Sequence, residues 1–95
     1  MKAVKVTYTV KPEYVSTNQQ NIKAVMDYLE ANPIEGMDYN AYLLEDGQSF
    51  MHINVAKDEA TMNQLLSVDA FNAFRMALKA SEPVSPPKSE VLDKI

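Results

Sequence analysis

The spacing of apolar residues changes period along this chain, and that change limits the fold more than any single motif. Residues 3–10 alternate, with Val4, Val6, Tyr8 and Val10 on one face and Lys5, Thr7 and Thr9 on the other. Period two with β-branched enrichment predicts a strand, ended by Pro12, which has no N–H for a ladder. The period then becomes helical. Ile22, Val25, Met26 and Leu29 fall at i, i+3, i+4 and i+7, behind Ser16 and Thr17 as candidate N-caps. Asn32-Pro33 stops the helix and Gly36 marks a turn. Period two returns in Met37–Leu44 and Ser49–Val55, around Glu45-Asp46-Gly47-Gln48, where Asp-Gly is a hairpin signal. Asp58 caps a short helical stretch with Met62, Leu65 and Leu66. A break near Ser67 follows, with Ser67 or Asp69 as a fresh cap. A second stretch to about Ala80 carries Phe71, Phe74 and Leu78. The proline-rich segment 81–87 reads as an extended loop, and 89–95 as a last strand. The order β-α-β-β-α-β, with its second helix broken, predicts an α+β ferredoxin-like fold: a four-stranded antiparallel sheet with helices on one face.

The register of the central hairpin decides which side chains share a face, because a slip of one residue reverses the set. A two-residue Asp46-Gly47 turn pairs Glu45 with Gln48 and mixes the faces. A three-residue loop, with Gly47 left-handed in a bulge, pairs Leu44 with Gln48. It gives one nearly continuous apolar face of Tyr39, Ala41, Leu43, Met51, Ile53 and Val55. The second choice is the expectation here. It puts Lys5, Thr7, Thr9, Asn40, Tyr42, Leu44, Phe50, His52 and Asn54 on the face away from the helices. That mixture of aromatic and small polar groups suits contact with a second subunit around a partly wet cavity.

Composition removes whole classes of chemistry. At 95 residues the chain makes one domain, 1–95. It has no cysteine, hence no disulfide, thiolate chemistry or Cys-ligated zinc, and its one histidine leaves no multi-His metal site. Net charge −4 argues against nucleic acid and against anionic membranes. No apolar run approaches the roughly 20 residues needed to span a bilayer, and no signal-peptide core precedes the first strand, so the cytoplasm is the expected location. With only Gly36 and Gly47 as glycines, no phosphate-cradling loop can be built. The loop Lys11-Pro12-Glu13-Tyr14 lacks the glycine and arginine of an acylphosphatase-like site, and the central strands lack an RNA-binding set of basic and aromatic residues.

Three segments carry a family likeness: Tyr39-Asn40-Ala41-Tyr42-Leu43-Leu44-Glu45-Asp46-Gly47, Ser49-Phe50-Met51-His52-Ile53, and Leu66-Ser67-Val68-Asp69-Ala70-Phe71-Asn72-Ala73-Phe74. With the opening strand they resemble the dimeric α+β barrel superfamily, close to its antibiotic-biosynthesis-monooxygenase-like domains. The resemblance implies two ferredoxin-like sheets facing each other across a two-fold axis, hence a homodimer. The superfamily includes cofactor-free oxygenases, heme-degrading enzymes, isomerases, decarboxylases and domains without known activity.

His52 is the only side chain whose ordinary pKa lies near neutrality, and it is the expected proton-transfer group. Thr7, Asn40, Tyr42, Phe50 and Asn54 are expected around it, binding a small aromatic or carbonyl-bearing molecule without cofactor or metal. Oxygenation of an acidic phenol needs such a set, which must take a proton, hold the electron-rich anion and exclude water. The competing expectation is a non-catalytic dimerisation or ligand-binding domain with His52 hydrogen-bonded at a subunit contact. Tyr8, Tyr39 and Tyr42 could line a pocket and hydrogen-bond a ligand, and Asn18 could point into a pocket mouth between helix and sheet. The favoured expectation is packing residues with wet hydroxyls and a solvated first turn; Arg75, the only arginine, reads as a surface charge.

Overall fold

The computed structural model describes residues 1–95. Strands β1 (Lys2–Thr9), β2 (Met37–Leu43), β3 (Ser49–Ala56) and β4 (Ser85–Leu92) form one antiparallel sheet in the order β2-β3-β1-β4. Helices α1 (Val15–Ala31), α2 (Glu59–Asn63) and α3 (Asp69–Ala80) cover one face. This is the expected ferredoxin-like βαββαβ arrangement, with the second helical region broken where the sequence breaks its pattern. Asp58 caps α2 through its carboxylate, which accepts from Thr61 N at 2.7 Å. A 3-10 turn, Gln64–Ser67, separates α2 from α3.

Local details depart from the sequence reading in three places. A 3-10 turn at Pro12–Tyr14 leads directly into α1, so Ser16 and Thr17 lie inside the first turn and cap nothing. Neither Ser67 nor Asp69 caps α3. Val68, extended and without a side-chain bond, precedes it, and Asn72 Nδ2 donates to Leu66 O at 2.8 Å across the junction. The last strand begins at Ser85 and takes in Pro86 and Pro87. Its position explains the prolines: β4 is an edge strand, where a missing N–H can face solvent.

The largest departure is the hairpin. Leu43 stands opposite Phe50, Ala41 opposite His52 and Tyr39 opposite Asn54. Four residues, Glu45–Gln48, form the loop. Leu44 N donates to Ser49 O at 2.8 Å and Gly47 N to Leu44 O at 3.0 Å, with Gly47 at φ 72°. The register is that of the face-mixing alternative, reached through a wider turn. Asp46 explains the width: its carboxylate accepts from Gln48 N at 3.0 Å, Ser49 N at 2.7 Å and the Ser49 hydroxyl. These bonds hold the Asp46 carboxyl below its ordinary pKa.

The consequence is a reversal of β3. Phe50, His52 and Asn54 point toward the helices with Val4, Val6, Tyr8 and Tyr39, while Met51, Ile53 and Val55 face outward with Lys5, Thr7, Asn40 and Tyr42. The core is Tyr8, Val10, Val25, Phe50, Leu65, Val68, Phe74 and Leu78. Burying side chains of this size contributes roughly 1.5–3 kcal/mol each before entropy is subtracted.

Candidate functional site

Three strands bring a hydrogen-bonded chain together beneath the helices. His52 on β3 faces the helices, flanked by Tyr8 on β1 and Tyr39 on β2. The Tyr8 hydroxyl lies 2.7 Å from His52 Nε2, and the Tyr39 hydroxyl lies 2.6 Å from His52 Nδ1. Asn18, fully buried in the first turn of α1, donates from Nδ2 to the Tyr8 oxygen at 2.9 Å. The Phe74 ring of α3 stacks on the imidazole, with centroids 5.3 Å apart.

Burial sets the charge state. With His52 only 5% exposed, burial pushes its pKa down to about 4, and burial pushes both the Tyr8 and Tyr39 hydroxyls up. All three groups are therefore neutral at pH 7. A neutral imidazole donates from one nitrogen and accepts at the other. Asn18 already donates to the Tyr8 oxygen, which leaves the Tyr8 hydrogen to His52 Nε2. His52 Nδ1–H then donates to the Tyr39 oxygen, and the Tyr39 hydrogen is directed beyond the chain. The hydrogen bonds thus assign both the tautomer and a direction, from Asn18 toward Tyr39.

That end of the chain meets a cavity of about 510 Å³ between sheet and helices, within the range typical of small-molecule sites. Val4, Val6, Phe71, Phe74 and Leu78 make its wall largely apolar. Tyr8, Tyr39, His52 and Asn54 line its inner side, and Arg75, Lys79 and the prolines at 83, 86 and 87 also border it. Asn54 stands directly across the ladder from Tyr39, and its buried side-chain oxygen has no hydrogen-bond partner. The inner wall therefore offers one hydroxyl donor beside one amide acceptor. No group of three His, Cys, Asp or Glu side chains converges there or elsewhere.

The six residues expected to surround one ligand do not share a face. His52 and Asn54 line the cavity. Phe50 lies deeper in the core, its ring stacked on Tyr8 with centroids 5.5 Å apart. Thr7, Asn40 and Tyr42 stand across the sheet, because β3 alone is reversed relative to the expected register. The sequence reading set Tyr8, Tyr39 and Asn18 aside as packing or solvated residues, and the structure brings all three to His52. A signal was present: two tyrosines on the helix-facing side each need a buried partner for the hydroxyl, and only the parity of His52 provides one.

No protein-family model and no curated protein matches the sequence. Solved structures do match, over the whole chain. A crystal structure of an antibiotic biosynthesis monooxygenase superposes with a TM-score of 0.84 at 14% identity, covering 100% of this chain and 99% of that one. Rv0793 from Mycobacterium tuberculosis gives 0.82 at 15% identity over 99% of this chain and 94% of that one. A conserved protein from Methanosarcina mazei gives 0.79 at 23% identity, covering 100% and 95%. The chain has the ferredoxin-like βαββαβ fold of the antibiotic biosynthesis monooxygenase structures. None of its helices is long and apolar enough to cross a membrane.

Proposed function

We propose that this protein binds a small hydroxyl-bearing aromatic compound between sheet and helices and exchanges a proton with it through His52, as a cofactor-independent monooxygenase would. The observation that carries this reading is the neutral Asn18–Tyr8–His52–Tyr39 chain ending on an apolar cavity. A phenolic hydroxyl uses both groups of the inner wall, accepting from Tyr39 and donating to the Asn54 oxygen. An imidazolium alone is disfavoured in this setting, as the depressed pKa of His52 states. Taking the proton reverses the chain: the phenol turns its hydrogen to Tyr39, Tyr39 donates to His52 Nδ1, His52 Nε2–H donates to Tyr8, and Tyr8 donates to the otherwise unpartnered Asn18 Oδ1 as that amide turns over. Transfer then leaves an imidazolium beside a phenolate, whose opposite charge offsets the penalty. The electron-rich ring then reacts with dioxygen: phenol plus O₂ gives quinone plus water. A ring C–H becomes C=O, one oxygen atom enters the ring and the other leaves as water. The substrate supplies all four electrons.

Thr7, Asn40 and Tyr42, with Met51, Ile53 and Val55, receive a different role in this proposal, as the face that meets a second copy of the chain. Tyr42 is half exposed, and no element of the chain covers this side of the sheet. Sedimentation equilibrium tests it: the expected mass is twice 10.7 kDa.

A second reading, ligand binding without turnover, is favoured by the absence of any ionised group along the hydrogen-bonded chain. Oxygen uptake with a dihydroxynaphthalene separates the two. The oxygenase reading expects uptake that falls about a hundredfold or more in His52→Ala, the usual scale for losing a proton-transfer group. Binding of the compound without oxygen uptake would leave only the second reading standing.

A further inference from the structure

We infer that the ligand of this cavity also carries an anionic group, such as a carboxylate, held at the cavity mouth by Arg75 and Lys79. The inference rests on the reading of the cavity as a ligand site and adds the second half of the ligand. The chain is acidic, with thirteen acidic against nine basic side chains, yet the cavity inverts that balance. Arg75 and Lys79 are its charged lining residues, and no aspartate or glutamate lines it. The ion pairs of the molecule are Lys2–Glu59, Lys5–Glu90 and Lys23–Asp27, so neither cation has a carboxylate partner.

Their placement is ordered. Phe71, Arg75 and Lys79 follow at i, i+4 and i+8 along one side of α3. The Arg75 guanidinium carbon lies 5.2 Å above the Phe71 ring, and Nη2 donates to Asn72 Oδ1 at 3.1 Å. This fixes the plane of the guanidinium while leaving most of its five N–H donors free, the arrangement that receives a carboxylate in bidentate fashion. Phe71 packs edge-on against Tyr39 with centroids 6.0 Å apart. A line of contacts therefore runs from Arg75 at the mouth, through Phe71, to the hydroxyl of Tyr39 at the inner wall. A ligand lying along it places a hydroxyl at Tyr39 and Asn54, an aromatic body on Phe71 and Phe74, and an anion at Arg75. Lys79 alone has a simpler explanation, since a cation in the last turn of α3 favours the helix dipole. Arg75 sits in mid-helix, where that explanation does not apply.

The test compares hydroxynaphthoate with its methyl ester at low ionic strength, read by the probe's own fluorescence, which no tryptophan of this chain obscures. The free acid should bind about fivefold or more tightly than the ester, because two rim charges each contribute modestly. Added salt should narrow the gap. In an Arg75→Gln/Lys79→Gln variant the acid should fall to the affinity of the ester, while a Lys23→Gln control keeps the difference. Equal affinities for the wild type, or a gap that survives the double variant, would overturn the anion subsite and leave the cavity reading intact. Binding of neither probe would overturn both.

Discussion

Both faces of the sheet set polar residues among apolar ones, yet they differ in what those polar groups do. On the inner face His52 is bonded at both ring nitrogens and buried among Tyr8, Tyr39 and Phe74. On the outer face Asn40 bonds only Asp38, at 3.0 Å, and Tyr42 is half exposed. A polar residue is therefore not a sign of the solvent side. What sets His52 apart is that both of its ring nitrogens find a fixed partner within the fold.

Paired truncations on neighbouring residues of β3 put this contrast to its severest test. Phe50 is 2% exposed and Met51 half-buried on the other side. Phe50→Ala should cost about 3–5 kcal/mol in urea unfolding, the range for an aromatic removed from a packed core. Met51→Ala should cost about 1 kcal/mol or less in the monomer, since the lost side chain is only partly buried. Reversed magnitudes would mean that β3 pairs in the slipped register.

A pH titration comes next in size. His52 has a pKa near 4 in the folded chain against about 6.5 when unfolded. The unfolded chain thus binds its proton first on acidification. The stability contributed by neutral His52 is complete above about pH 6.5, falls as pH drops, and is fully lost below about 4. The difference amounts to about 3 kcal/mol across that window. Subtracting the profile of a His52→Gln variant removes the contribution of carboxylates. As the only histidine, His52 can also be followed directly by its ring C–H resonances. A midpoint near 6.5 would place it in solvent, on the outer face.

Removing single hydroxyls sharpens the contrast on a smaller scale. Tyr39→Phe leaves His52 Nδ1–H without its partner and should cost about 1–3 kcal/mol, the penalty of a buried unpaired group. Tyr42→Phe, on the outer face, should stay within about 0.5 kcal/mol. Thermal or urea unfolding of the two variants under one condition reads both.

Much of this architecture was legible from periodicity. The alternation of Val4, Val6, Tyr8 and Val10 placed β1, and the break near Ser67 divided the second helical region correctly. The side-chain directions of β1 and β2 were also as expected. The reversal of β3 was not legible, because Met51, Ile53 and Val55 form a better apolar stripe than Phe50, His52 and Asn54 do. Periodicity scores only transfer to an apolar medium. It cannot score a histidine whose burial is offset by two tyrosines that are distant in sequence. Asn18 was set aside for the same reason: its partner, Tyr8, lies on another element. The cavity was illegible because it depends on how α3 and the prolines at 83, 86 and 87 are placed around the inner face of the sheet.

The smallest effect should come from the residue that shapes the hairpin. Asp46 is exposed, and its three hydrogen bonds to Gln48 and Ser49 act within one loop. Asp46→Ala should lower the melting temperature slightly and speed amide exchange at Gln48 and Ser49, while the rest of β3 keeps its protection. The reason for so local an effect is that two other contacts specify the same register. Val10 N donates to Gln48 O at 3.1 Å, and the Gln48 side chain returns a bond to Val10 O at 3.0 Å, tying the loop's last residue to the end of β1. The bonds from His52 to Tyr8 and Tyr39 hold the same alignment from the middle of the strand. His52 should accordingly titrate near 4 in this variant as in the wild type. A second population titrating near 6.5 would show that the turn alone selects the register, with the buried hydrogen-bonded chain as its consequence.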